Sequence, residues 1–261
     1  MQTKIDQLKA QLLAHAPVVV AYSGGVDSAY LLAIAHETLG DQMLGVIADS
    51  PSLPRESLEA AVALAAQIGA PLEIVRTDEM NDPNYASNPF NRCYFCKAEL
   101  FVKLDRLAKD RGFGAIAYGE NADDMQQVRP GRQAATEFSI LAPLRDAGMT
   151  KAEIRANSRE LGLQTFDAPS QPCLSSRIPH GTPVTLEALS MVERGEKVVR
   201  SLGFKVFRVR HIVEEDKTHA RVQIAPEEMA GLESASEKIA EGLLEIGYSA
   251  VEIDPAGYRS Q

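Results

Sequence analysis

The chain has 261 residues, 45% hydrophobic and 24% charged, with a net charge of −9. That is an ordinary globular composition, with room for one large domain or for a main domain and a smaller partner. Three cysteines exclude a disulfide framework, no apolar run reaches the ~18 residues of a membrane span, and the acidic balance argues against tracking a nucleic-acid backbone.

The opening stretch MQTKIDQLKAQLLAHAP alternates charged and apolar residues. It is unlike a signal peptide, so a cytoplasmic protein is expected. VVVAYS (18–23) reads as a buried strand, and DSAYLLAIAHETLG (27–40) as a helix stopped by Gly40. MLGVIADS (43–50) is a second strand, PRESLEAAVALAAQIGA (54–70) a helix and PLEIVRT (71–77) a third strand. The pattern continues with a helix over 96–112, a strand AIAYG (115–119) and a short apolar stretch ILAPL (140–144) that reads as a fifth strand. Alternating strands and helices predict an α/β domain with a parallel sheet covered on both faces. In TKAEIRANSRELG (150–162), Thr150 and Glu153 have capping-box spacing.

A Pro/Ser-rich stretch, DAPSQPCLSSRIPHGTP (167–183), then breaks the periodicity. We read residues 1–166 as the first domain, 167–183 as a linker carrying Cys173, and 184–261 as a small α+β domain for substrate and oligomerisation. The small domain reads as helix, strand pair, helix (226–247) and last strand.

In VVVAYSGGVDSAY (18–30) an apolar strand runs into Ser23-Gly24-Gly25, and Asp27-Ser28 begins a helix. Glycines present backbone N–H groups to an anion, and the helix N-terminus adds its positive dipole end. Ser23 and Ser28 add hydroxyl donors, and Asp27 is placed to hold Mg²⁺ against phosphates. No Gly-Lys pair occurs, so this is not a Walker loop, and the spaced glycines of a dinucleotide fold are missing. The string resembles the pyrophosphate loop of the ATP pyrophosphatase (PP-loop) superfamily, over residues 16–165. That resemblance implies ATP cleavage between the α and β phosphates, with activation of a carbonyl or carboxyl oxygen as an adenylate. It implies an adenine site around Ala48, Asp49 and Ser50, with GENADD (119–124) above the same crevice, including Gly119 and Asp124. Asp49 also reads as a solvated loop carboxylate, and Asp124 reads equally as a second metal-facing carboxylate or as a helix cap. VRPGR (128–132) sets Arg129 and Arg132 near the nucleotide, or is simply a Pro-Gly turn.

Cys93 and Cys96 stand in NRCYFCKAELF, and the third cysteine, Cys173, lies far along the chain. A thioredoxin-like pair lacks the preceding strand. A zinc site needs a fourth ligand, for which His180 is available. Buried core cysteines are the structural reading. Three thiolates also suit an iron–sulfur cluster with one iron lacking a protein ligand, able to bind an exogenous sulfide.

SSRIPHGT, followed by EKVVRSLGF and VFRVR, resembles the LarE family of ATP-dependent sulfur transferases over nearly the whole chain. The family makes the thiocarboxylates of the nickel-pincer nucleotide cofactor. Its members with one essential cysteine carry it at the Cys173 position or nearby and give up its sulfur. This chain departs from that pattern by adding Cys93 and Cys96, as in a second, three-cysteine branch. The resemblance therefore implies a [4Fe–4S] cluster on Cys93, Cys96 and Cys173, with a sacrificial Cys173 as the alternative. It implies a mononucleotide substrate whose phosphate meets Arg208 and Arg210, with Arg177 joining them, and a sulfide donor. Glu196 matches a family active-site carboxylate, and Lys97 is placed to neutralise charge in the adenylate step. The bland readings are a solvated Arg208/Arg210 face paired with Glu214 or Glu215, a linker charge at Arg177, an i,i+4 pair of Glu196 with Arg200, and an exposed lysine at Lys97. A homo-oligomer is expected. A tRNA thiolation enzyme is the nearest rival, although residues 176–261 hold eleven Lys/Arg against fourteen Asp/Glu. A non-catalytic ATP-binding module with structural cysteines, or an amidating synthetase, is also compatible with the loop.

Overall fold

A computed structural model describes residues 2–126, 130–169, 172–215 and 217–258. In chain order the elements are α1 (Gln2–Ala14), β1 (Val18–Tyr22), α2 (Val26–Leu39), β2 (Met43–Asp49), α3 (Arg55–Ile68), β3 (Leu72–Arg76), α4 (Pro83–Ala86) and α5 (Arg92–Arg111). They continue with β4 (Ala115–Tyr118), α6 (Pro130–Glu137), α7 (Pro143–Asp146), α8 (Lys151–Glu160), α9 (Leu186–Ser201), β5 (Phe207–Glu214), β6 (Lys217–Ile224), α10 (Leu232–Ile246) and β7 (Ala250–Ile253). The chain divides into two compact units, Met1–Glu79 with Asn91–Gln171, and Met80–Phe90 with Pro172–Gln261. Among the described residues, no helix is long and apolar enough to cross a membrane.

The first unit is built on a four-stranded parallel sheet in the order β3-β2-β1-β4. Successive side chains of a strand point to opposite faces, so a strand covered on both sides must be apolar throughout. β1 meets this condition. Val18, Val20 and Tyr22 pack with Leu31, Leu32 and Leu64 on one face. Val19 packs with Phe101, Leu104 and Ile116 on the other. The expected fifth strand over 140–144 reduces to a single parallel bridge between Leu141 and Ala117. Pro143 explains this: it has no N–H for a ladder, and it opens α7 instead. The helix expected from Cys96 begins at Arg92, which brings Cys93 into its first turn.

The capping box of α8 forms as expected, with Thr150 Oγ accepting from Glu153 N and the Glu153 carboxylate accepting from Thr150 N at 2.8 Å. The same carboxylate accepts from Lys4 Nζ at 2.8 Å, tying α1 to α8. The Lys4 ammonium first, and the Thr150 N–H second, hold the Glu153 carboxyl down at about 2. A carboxylate depressed in the fold contributes stability above its unfolded pKa, and that contribution is lost as pH falls toward the folded value. Glu153→Gln should therefore destabilise the protein at pH 7. Its penalty should shrink between about pH 4.5 and pH 2, which thermal melts across that window would check.

The second unit carries a three-stranded mixed sheet in the order β5-β6-β7, antiparallel between β5 and β6 and parallel between β6 and β7. Val199, Phe207, Val209, Val222, Ile239 and Leu243 form its core. Gly195 and Gly242 allow close helix packing, since a Cβ at either would lie 2.8 Å from Leu243 or Val198 side-chain carbons. The single helix expected over 226–247 is a 3₁₀ turn, Pro226–Gly231, followed by α10. Gly231, a poor residue for a helix interior, stands at the change. The segment Met80–Phe90 joins this unit through Val184 N donating to Ala86 O (2.8 Å) and Gly181 N donating to Asn88 O (3.0 Å).

Candidate functional site

In the first unit the loop between β1 and α2 is tightly organised. Gly24 has φ +77, and a Cβ there would lie 2.8 Å from the Ala61 Cβ. Both the left-handed backbone and the close approach to α3 require glycine. Gly25 occupies the N-cap of α2, so no side-chain cap takes up the first N–H groups of the helix. Ser28 is buried, its Oγ donating to Gly25 O (3.0 Å) and accepting from Ser23 N (3.2 Å). The two hydroxyl oxygens are 3.0 Å apart. Ser28 thus shapes the loop, while Ser23 is the exposed hydroxyl.

Asp27 Oδ2 accepts from Lys151 Nζ at 2.7 Å and from Asn121 Nδ2 at 3.2 Å. Its Oδ1 is buried and has no hydrogen-bond partner. An unsatisfied carboxylate oxygen beside an uncapped helix N-terminus suits a cation that accompanies phosphates. Gly119 follows β4, and a Cβ there would lie 2.7 Å from Ser28 N and 2.9 Å from Ser28 Cα. Those are backbone atoms and cannot swing aside. Gly119→Ala should therefore push the loop away from β4, costing about 1–3 kcal/mol of stability. It should weaken ATP binding roughly tenfold. Unchanged affinity in a titration with a fluorescent ATP analogue would show that the close approach does not shape the site.

The Asp124 carboxylate accepts from Asn121 N at 3.2 Å, which is the capping alternative raised by the sequence. Asp49 is half-buried and pairs with the exposed Arg55. Ala48 is half-buried at the carboxyl end of β2. Ser50 donates to Glu79 and accepts from Ser52 N at 2.9 Å. Lys97 lies with Nζ 4.9 Å from the Tyr118 ring centroid. Its stem crosses Gly131, where a Cβ would be 2.7 Å from Lys97 Cδ. Arg132 pairs with the buried Glu120 at 2.8 Å, as does Arg145 at 2.8 Å. Arg129 lies outside the described residues. Lys151 and Glu79 escaped the sequence reading, and Asn121 was covered only as part of GENADD. Lys151 was legible as the first residue after the Thr150 cap.

In the second unit Arg177 is buried and bound to Glu196 through two hydrogen bonds, Nε to Oε1 at 2.7 Å and Nη2 to Oε2 at 2.9 Å. Its Nη1 donates to the carbonyls of Pro172 (2.6 Å) and Cys173 (3.1 Å) and to Ser176 Oγ (3.0 Å). Arg177 is therefore no linker charge: it folds the Cys173 turn around itself. Glu196 serves Arg177 rather than Arg200, whose guanidinium lies over Phe207. Arg208 and Arg210 share one face of β5, as their spacing predicted. Arg208 is buried, with its guanidinium 4.5 Å from the Tyr258 ring centroid, so the face is not a solvated one. Arg210 donates to Gln223 Oε1 (2.9 Å) and to Ser176 O (2.8 Å). Burial first, and then the charge of Arg177, lowers the pKa of both Arg208 and Arg210. Crowded, desolvated guanidiniums favour an anion such as a phosphate.

Cys93 and Cys96 stand one turn apart at the start of α5, and Cys173 begins the 3₁₀ turn Leu174–Arg177; all three are thiols. Among the described residues, no three His, Cys, Asp or Glu side chains are gathered into a metal-binding group.

A parallel sheet whose first strand runs through Ser-Gly-Gly-x-Asp-Ser into an uncapped helix defines a PP-loop nucleotide-binding domain. The NAD synthase family profile matches residues 4–91. An uncharacterised protein of Synechocystis is 39% identical over all of this chain and 96% of its own length. The pyridinium-3,5-bisthiocarboxylic acid mononucleotide synthase of Lactiplantibacillus plantarum is 30% identical over all of this chain and 93% of its own length. The glutamine-hydrolysing GMP synthase of Thermomicrobium roseum is 30% identical over 70% of this chain and 39% of its own. The chain belongs to the LarE family of PP-loop proteins, that of the Lactiplantibacillus synthase.

Proposed function

We propose that the protein is an ATP-dependent sulfur transferase that converts a carboxylate of a pyridinium mononucleotide into a thiocarboxylate, in biosynthesis of the nickel-pincer nucleotide. The observation that carries this reading is the second unit's site. A buried arginine, paired with Glu196, donates to the backbone of the Cys173 turn, beside the buried Arg208 and the half-buried Arg210. An anion site built onto a thiol-bearing turn suits a phosphorylated substrate that must receive sulfur.

A substrate carboxylate oxygen attacks the α-phosphorus of ATP. The α–β bond breaks, leaving an acyl-adenylate and pyrophosphate. The N–H groups at the start of α2, the Ser23 hydroxyl and Lys151 hold the leaving pyrophosphate. The orphaned Oδ1 of Asp27 would hold Mg²⁺, which when bound would supply charge to stabilise the same group. Ala48, Asp49 and Ser50 border the adenine, and Lys97 neutralises the adenylate phosphate. Arg177, Arg208 and Arg210 hold the substrate phosphate, and Glu196 fixes Arg177. Sulfide sulfur then attacks the acyl carbon, AMP leaves with the former carboxylate oxygen, and a thiocarboxylate remains. Thiolates of Cys93, Cys96 and Cys173 suit a [4Fe–4S] cluster by donor chemistry; when bound, it would supply an open iron to carry sulfide.

The test is product analysis. With the dicarboxylated pyridinium mononucleotide present, ATP should yield AMP and pyrophosphate in equal amounts. Release of ADP and phosphate would overturn the assignment.

A further inference from the structure

The turn that carries Cys173 lies in neither a regular helix nor a sheet. Its own backbone closes only short-range bonds, Ser176 N to Cys173 O at 3.0 Å and Ile178 N to Ser175 O at 3.1 Å. Arg177 and Arg210 donate to its carbonyls, and a second set of bonds comes from Met80–Phe90, some ninety residues earlier. The Tyr85 hydroxyl lies 2.7 Å from the Ser175 hydroxyl, and both residues are buried. Asn88 is fully buried with φ +56, a left-handed backbone that asparagine tolerates better than most residues. Its Nδ2 donates to the carbonyls of Pro179 and Thr182, both at 2.8 Å, and lies 3.3 Å from that of Ile178. Three surrounding carbonyl oxygens leave only the amide nitrogen, not its oxygen, able to face them. Backbone bonds from Gly181 N to Asn88 O (3.0 Å) and Val184 N to Ala86 O (2.8 Å) complete the fastening.

We infer that Tyr85 and Asn88 are positioning residues for sulfur transfer, pinning residues 175–184 so that Cys173 is presented in one geometry. The inference rests on the sulfur-transferase reading for its catalytic consequence, and on hydrogen bonding alone for its structural one. The hydrogen bonds that shape the nucleotide loop run within residues 23–28 and to Asn121 and Lys151, in the other unit. ATP binding should therefore be indifferent to Tyr85 and Asn88, whereas delivery of sulfur should not.

Two variants separate the groups. Asn88→Gly keeps the left-handed backbone and deletes the amide. Tyr85→Phe keeps the ring and deletes the hydroxyl, so at least one should fold like the parent. Hydrogen exchange on the substrate-free protein should be about tenfold faster at the Ile178, Gly181 and Val184 amides, the factor expected from one lost buried hydrogen bond. The KM for ATP should be unchanged at saturating mononucleotide. Thiocarboxylate formed per pyrophosphate should fall about tenfold, an uncoupling that a purely structural role would not produce. Parental exchange rates in both variants would overturn the anchoring. Faster exchange with an unchanged thiocarboxylate yield would overturn the positioning role. A parent enzyme that makes no thiocarboxylate would overturn the sulfur-transferase reading instead, leaving the anchoring to be judged by exchange alone.

Discussion

Glu196→Ala should lower the free energy of unfolding by about 3–5 kcal/mol, the cost of removing one partner from a buried ion pair. The carboxylate accepts two hydrogen bonds from Arg177, and both side chains are almost fully buried. Without it Arg177 keeps only carbonyl and hydroxyl acceptors, beside two guanidiniums whose pKa values are already lowered by burial and by Arg177 itself. An unneutralised charge in that setting cannot recover its lost hydration. Replacing both partners together, as Arg177→Met with Glu196→Leu, should restore most of the stability, because a buried pair gains little over apolar residues of similar volume. It should not restore binding of a phosphorylated substrate. Denaturant unfolding of the parent, both single variants and the double variant gives the coupling directly. A loss below about 1 kcal/mol for Glu196→Ala, the size typical of exposed pairs, would mean that the pair is solvated in solution.

The largest functional effects belong to the cysteines. If all three hold one cluster, each of Cys93→Ala, Cys96→Ala and Cys173→Ala should lower bound iron and reduce sulfur transfer to background together. ATP binding should persist in all three, since no cysteine takes part in the hydrogen bonds that shape the Ser23–Ser28 loop. A sacrificial Cys173 gives a different result. Cys93→Ala and Cys96→Ala would stay active, and the parent enzyme would stop after about one turnover, because a thiol consumed as a reagent is not regenerated by simple exchange. It would also lose the mass of H₂S at Cys173. Iron analysis after anaerobic purification, beside intact mass after turnover, decides between them. A parent enzyme without iron, with a lightened Cys173 and indifferent Cys93 and Cys96, would overturn the cluster.

What the sequence by itself determined is local in range. The apolar runs at 18–23, 43–50 and 115–119 became buried parallel strands because covering both faces demands apolar residues at every position. Gly24, Gly25 and the Thr150 capping box were legible because turn and cap chemistry acts over two to four residues. The shared face of Arg208 and Arg210 followed from the two-residue period of a strand. What only the tertiary structure decided are pairings between distant segments, to which periodicity is blind. Lys151 reaches Asp27 across 124 residues, and Asn88 holds the carbonyls of residues 178–182 from about 90 residues away. Glu196 has Arg200 at helical spacing, yet its partner is Arg177, 19 residues earlier and outside the helix. The reason is burial. An exposed i,i+4 pair is worth a few tenths of a kcal/mol, whereas a carboxylate enclosed by the fold must find a charged, hydrogen-bonding partner in its own pocket. Which residues share that pocket is settled by packing, after the local elements have formed.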